Sequence, residues 1–278
     1  MRRNVRPHCL FGMIALLIAT VTVSVRAQTP VASPTPSLEK EFFKNVLRDQ
    51  KAIWLAPLHI RRSDAKWIIP GSIGFMTLVA TDRSTGDEMA EFDRQVKASR
   101  VVSYAGSVYA LGAAAGTFYL IGRNKNDARA RETGLLSAEA LVNSVIVESA
   151  LKGISQRGRP STGAERSEFF EGGNSFPSGH STQVWAVATV VANEYQHNHA
   201  VQIAAYGIAS AVSVARFTVQ KHYLSDVIAG SALGYGIGKY VYSAHHRDPS
   251  ASVSKWPMIT PEYNRRARKY GVGLSWSF

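Results

Sequence analysis

The sequence predicts an all-α protein, a compact helical bundle of six or more helices with a short C-terminal strand. Three observations predict it. Apolar residues recur near helical spacing in successive segments, as in Phe42, Phe43, Val46, Leu47 and Trp54. Small residues occur throughout, with 22 glycines among 278 residues, and small side chains let helices approach closely. No internal repeat and no strand-rich stretch precedes the tail.

The elements follow in chain order. Residues 1–27 read as a secretory signal peptide: Arg2, Arg3 and Arg6 form a basic start, and Cys9 to Val25 is uncharged and mostly apolar. Val25-Arg26-Ala27 then offers a cleavage site. The competing reading is an uncleaved anchor, near the lower length limit for a span. Residues 28–37 form a linker rich in Pro, Ser and Thr. Ser37 caps the first helix. Trp67 to Thr81 is apolar but short, and carries Pro70 and Gly71. Arg100 and Arg123 enclose 22 uncharged residues, long enough to span a bilayer at about 1.5 Å per residue. That run is rich in Gly, Ala and Ser rather than Leu and Ile. Residues 135–153, 181–195, 200–216 and 223–242 read as four further helices, completing one domain over 38–246.

Residues 247–278 form a basic tail. It ends in YGVGLSWSF, where Tyr270, Val272, Leu274, Trp276 and Phe278 alternate with small residues. Such alternation reads as a strand that docks on the domain or pairs with another chain. One strand cannot close a barrel in lipid.

Composition narrows the partners. The net charge is +12, and residues 1–27 hold four Arg and no acid, so cleavage would leave +8. A basic surface favours anionic partners such as phospholipid headgroups or phosphorylated substrates. No zinc-finger spacing, aromatic RNA-binding signature or basic recognition helix points to nucleic acid. The single cysteine, Cys9, lies in the signal and supports no disulfide. The mean hydropathy of the whole chain is slightly negative, which favours an exported soluble or peripheral domain, in the periplasm or cell envelope, over an integral one.

Three motifs carry the chemistry. Lys152 to Pro160 reads KGISQRGRP, Pro177 to His180 reads PSGH, and Arg216 to Asp226 reads RFTVQKHYLSD. Together they supply three cations, two histidines and a carboxylate within 75 residues. Arg forks bind phosphate oxygens bidentately and Lys adds a point charge. PSGH precedes a helical run, so Ser178, Gly179 and His180 belong at a helix N-terminus, where backbone N–H groups face an anion. His222 and Asp226 are four apart, which places them on one face if the helix starts there and lets the carboxylate orient the ring. Glu148 lies four before Lys152, as a helical ion pair or as a solvated surface pair. The pairs His197/His199 and His245/His246 lack carboxylates in a ligand spacing and read as exposed polar residues, so no metal site is expected. The loop from Ser161 to Ser175 reads as a substrate-facing lid or an inert connector.

These motifs resemble the superfamily of type-2 phosphatidic acid phosphatases, class A acid phosphatases and vanadium haloperoxidases. The pattern K-x6-R-P, P-S-G-H, S-R-x5-H-x3-D is complete here except that Ala215 stands where the family has Ser. The resemblance implies that His222 is the nucleophile and His180 the general acid. It assigns Lys152, Arg159 and Arg216 to the phosphate, assisted by Ser178 and the Gly179 backbone. The implied activity is hydrolysis of phosphomonoesters or lipid (di)phosphates through a phosphohistidine, without a cofactor. A phosphorylated lipid or small phosphomonoester is then the partner, with membrane-surface contact. Vanadate enters as an inhibitor or, for the alternative of a haloperoxidase, as cofactor. A non-catalytic phospholipid-binding envelope protein is the third reading.

Overall fold

The computed structural model describes residues 38–88, 99, 101–162, 168–246, 258–264 and 269–275. The signal segment, the linker, Trp276 and Phe278 lie outside them. The chain divides into two units, one reaching to Ser243 and the other starting at Ala244.

In the first unit, α1 (Leu38–Leu55) carries Glu39 and Glu41 in its first turn, where carboxylates complement the helix dipole. It buries Leu38, Asn45, Val46 and Asp49 but leaves Phe43 and Leu47 exposed. Two 3-10 turns follow, Ala56–His59 and Arg62–Asp64. Helix α2 (Ala65–Glu88) then continues through Pro70. Proline removes the backbone donor that would bond the Lys66 carbonyl, yet the helix continues past it.

The 22-residue uncharged run is not one helix. Ala105, Gly106 and Ser107 close a turn through backbone N–H bonds to Val102, Ser103 and Tyr104. The Ser107 hydroxyl then accepts from the Ala110 N–H at 3.2 Å and caps α3 (Val108–Asn124). Helix α4 (Ala128–Ser155) is capped by Asp127 and packs against α1, α3 and α5 (Gly179–Glu194). The order closes with α6 (His199–Thr218) and α7 (Leu224–His245).

Two apolar clusters share α4 and α5. One joins Leu38, Leu136, Ala140, Val147, Ala186, Val190, Ile237 and Val241. The other joins Leu111, Leu141, Val184, Val187, Ala188, Ala209 and Val212. Helix α7 reaches α5 along Gly230, Gly234 and Gly238, where a side chain would run into the backbone of Ser178, Thr182 and Ala186. This stripe brings the start of α7 against the start of α5, and so builds the site. By length and composition, α4 and α6 could each cross a membrane; 56% of the apolar stretch is buried in α4 and 22% in α6.

In the second unit, β1 (Met258–Asn264) pairs antiparallel with β2 (Lys269–Ser275), with Tyr263 opposite Tyr270. The tail strand therefore finds its partner in the same chain. Pro261 and Glu262 interrupt any alternation in β1 and concealed it from a reading by pattern.

Candidate active site

Ser178 takes the N-cap position of α5 and Gly179 is its first residue. The Ser178 N–H donates to the Asp226 carbonyl at 3.0 Å. A Cβ on Gly179 would come within 2.9 Å of both Glu148 Oε2 and Lys152 Nζ, so glycine makes room for the lysine there. The first-turn N–H groups of α5 have no carbonyl one turn earlier to bond, which suits an anion.

Lys152 sits in the last turn of α4, 2.6 Å from Glu148 Oε2. Glu148 is buried and also accepts from Gln183 Nε2 at 3.3 Å, so the pair is part of the interior and not a solvated surface pair. Gln156, at φ 45°, turns the chain after α4. Arg159 then donates through Nε to Asn174 Oδ1 at 2.8 Å. Arg216, in the last turn of α6, donates through Nη1 to the Ser103 hydroxyl at 2.8 Å. Its buried Nε has no hydrogen-bond partner. Burial, helped by the nearby charge of Arg159, lowers Arg216 to about 10. Two close, partly desolvated cations and an unused donor make a cradle for an anion.

His180 and Arg216 line a cavity of about 460 Å³ together with Ser103, Tyr104, Val219 and Lys221. Burial, then the charges of Arg216, His222, Lys152 and Arg159, hold His180 down at about 4. The same interactions show that the three cations and both histidines share one electrostatic neighbourhood.

His222 corrects the helical-face expectation. Helix α7 starts at Leu224, so His222 lies in the preceding loop, which turns at Gln220 with φ 53°. Its Nδ1 is 2.7 Å from the Ser175 carbonyl and 3.8 Å from Asp226 Oδ2. A carbonyl only accepts, so Nδ1 donates, and the neutral ring keeps its lone pair on Nε2. Burial lowers His222 to about 4 against the upward pull of Asp226, with Arg216 and Arg159 adding to the lowering.

Asp226 is fully buried. Its Oδ2 accepts from Ser175 Oγ at 2.5 Å and from the Tyr223 N–H at 3.0 Å, and its Oδ1 from Arg157 Nη1 at 2.7 Å. Burial alone would raise this carboxyl, but His222, Arg157 and Ser175 outweigh it and hold it below its ordinary value.

All eight residues singled out from the motifs meet around this region. Four others came from the structure: Arg157, Ser175, Asp82 and Ser103. Arg157 stood inside the first motif and Ser175 two residues before Pro177; Asp82 and Ser103 had no local signal. The described part of the Ser161–Ser175 loop is tied down. Phe170, Glu171, Gly173 and Ser175 donate backbone N–H bonds to Ser155, Gln156, Gln156 and Arg157, and Phe169 covers the Arg157 guanidinium at 4.7 Å. His197 and His199 are exposed as expected, whereas His245 is buried.

Over 70 residues the chain is 36% identical to the lipid A 1-phosphatase of Porphyromonas gingivalis, a stretch covering 25% of this chain and 16% of that relative's length. Among solved structures, it is similar to a transmembrane PAP2-type phosphatidylglycerolphosphate phosphatase from Bacillus subtilis. That similarity has a TM-score of 0.48 at 19% identity, covering 78% of this chain and 97% of the other. A bacterial vanadium-dependent iodoperoxidase gives a TM-score of 0.43 at 16% identity, covering 78% and 52%. Residues 133–249 match the PAP2 superfamily, and the whole motif set from Lys152 to Asp226 falls inside that segment. By that match and its motifs, the segment that carries the site is similar to the PAP2 superfamily.

Proposed function

We propose that the protein is an exported phosphatase that hydrolyses phosphorylated lipids at a membrane surface, through a phosphohistidine on His222. One observation carries the reading: His180 and Arg216 line one cavity, and His222, Lys152 and Arg159 lie close enough to act on His180. Lys152, Arg159 and Arg216 hold the phosphate oxygens, with the start of α5 beneath them. His222 Nε2 attacks phosphorus, forming the N–P bond as the ester P–O bond breaks. His180 donates its proton to the leaving oxygen. Water then attacks phosphorus, His180 takes the water's proton, and the N–P bond breaks to release phosphate. The empty site holds His180 at about 4; a bound phosphate dianion offsets the surrounding cations and raises its affinity for the proton it must deliver. Neither step calls for a metal ion.

Lipid substrates are favoured by the exposed apolar length of α2, which is linked to Asp226 through the buried Asp82 and Arg157. Export rests on residues 1–27, and N-terminal sequencing of envelope-derived protein checks it. An intact N-terminus in the membrane fraction would replace cleavage by an anchor.

The activity is tested with a panel of lipid phosphates, lipid diphosphates and soluble aryl phosphates, with and without detergent. Rapid quench under alkaline conditions preserves the acid-labile N–P bond, and label is expected on His222. Replacing His222 is expected to abolish turnover of every substrate. Replacing His180 is expected to spare aryl phosphates most, because a good leaving group needs little protonation. Full activity in His222→Ala, or label on another residue, would defeat the mechanism.

A further inference from the structure

Arg157 is fully buried, and it does not face the substrate cavity. Its Nη1 donates to Asp226 Oδ1 and to Ser225 Oγ, both at 2.7 Å, and its Nη2 to Asp82 Oδ2 at 2.8 Å. The rings of Phe169 and Tyr223 lie 4.7 and 4.5 Å from its guanidinium carbon. Both terminal nitrogens are thus committed to protein, which distinguishes Arg157 from the phosphate-facing Arg216. Asp82 is held in turn, accepting from the Ser225 N–H at 3.1 Å and from the Ser225 hydroxyl.

The chain of contacts ends at the nucleophile. Arg157 fixes one oxygen of Asp226; the other takes the Ser175 hydroxyl, and the Ser175 carbonyl fixes His222 Nδ1. Asp226 itself stays 3.8 Å from that nitrogen, beyond hydrogen-bond range. Without Arg157, Asp226 would be an uncompensated buried charge. Its freed oxygen could then compete with the Ser175 carbonyl for Nδ1 and turn the ring.

We propose that Arg157 and Asp82 are positioning residues of the hydrolytic site: Asp82, on α2, anchors Arg157, which holds Asp226 and Ser175 so that His222 keeps Nε2 toward the phosphate. This rests on the phosphatase reading above. It also makes α2, outside the segment that matches the superfamily, a working part of the site.

The test uses the purified full chain and the variants Arg157→Lys, Arg157→Met and Asp82→Asn. Each folded variant is expected to lose about 10–100-fold in kcat, the scale seen when a group that orients a reactive ligand is removed. KM and competitive inhibition by orthovanadate, which report the untouched clamp, stay within about threefold. In Arg157→Met the acid limb of the kcat/KM profile moves to higher pH. The reason is that Asp226 faces Arg157 and His222, while His222 faces Asp226, Arg216 and Arg159, so losing the Arg157 cation favours protonation of the carboxyl. Arg157→Lys keeps the charge and recovers part of the loss. Should Arg157→Met fail to fold in a thermal melt, the nearly isosteric Asp82→Asn carries the test.

The ¹⁵N resonances of the His222 ring give a readout without turnover. They are expected to shift in Asp82→Asn and in Arg157→Lys. Wild-type kcat, pH profile and His222 resonances in either folded variant would overturn the proposal. A wild-type protein that neither hydrolyses any phosphate nor binds orthovanadate would overturn the phosphatase reading instead, and the ring resonances would still decide the link.

Discussion

Arg216 keeps a buried Nε without a hydrogen-bond partner, whereas both terminal nitrogens of Arg157 are taken by protein. The first has a buried donor left to offer an anion. Removing it, or Arg159, is expected to cost about 3–5 kcal/mol of transition-state stabilisation, the scale for losing a buried charge partner. Steady-state kcat/KM measures this, and normal turnover in Arg216→Ala would take the clamp out of the mechanism. Ser103 is the second residue to test. Its hydroxyl accepts from Arg216 in a site where Ala215 supplies none. Ser103→Ala leaves a charged donor unpaired, so a loss of about 1–3 kcal/mol in kcat/KM is expected. Ala215→Ser alone is expected to change the rate by less. Equal rates in Ser103→Ala and wild type would show that the hydroxyl does not help to place the guanidinium.

Where α1 crosses α4, the interior is polar. Asn143 Nδ2 donates to Asp49 Oδ2 at 2.9 Å, and Gln50 Nε2 to Asn143 Oδ1 at 2.7 Å. Burial, with Asp49 alongside, raises Glu139 from 4.5 to about 8. Glu139 thus keeps its proton in the folded state. Its contribution to stability is full below 4.5, and is lost as pH rises toward and through 8. His180 and His222, lowered to about 4, titrate only below their unfolded value of 6.5. Melts at pH 7 and pH 8.5 therefore isolate the carboxyl: wild type is expected to lose Tm over that interval and Glu139→Gln to lose less. Parallel losses would sink the assignment. The helices from α4 onward were legible because their apolar spacing is regular, although α4 begins at Ala128, seven residues ahead of the start read from the pattern. The run from Val101 misled because a turn made of Ala, Gly and Ser carries no charge to mark it. Helix α2 hid behind Pro70, and β1 behind Pro261. The motif residues were legible because their spacing is local. Asp82 and Ser103 were not, because they meet Ser225 and Arg216 across 143 and 113 residues of chain.

Helix α2 joins the scale of the element to that of the molecule. Trp67, Ile69, Ile73 and Met76 are 76, 58, 61 and 71% exposed, an apolar surface far beyond scattered single residues. Arg61, Arg62 and Lys66 stand exposed at its start. Basic residues next to an apolar helix suit an anionic bilayer, in which Trp and Ile enter the headgroup boundary while the cations meet phosphates. Since Asp82 ties the far end of α2 to Arg157, such docking would hold the phosphate site close to lipid headgroups. The purified chain is therefore expected to co-sediment with anionic vesicles, less so as salt screens the charges, and Trp fluorescence should shift to the blue on binding. The double substitution Ile69→Asp, Ile73→Asp is expected to weaken vesicle binding and to slow hydrolysis of lipid phosphates presented in a bilayer. Turnover of a soluble aryl phosphate should persist, because neither residue belongs to the site. Equal loss on both substrates would mean that the change damages the site through α2, and unchanged vesicle binding would remove α2 from the docking surface.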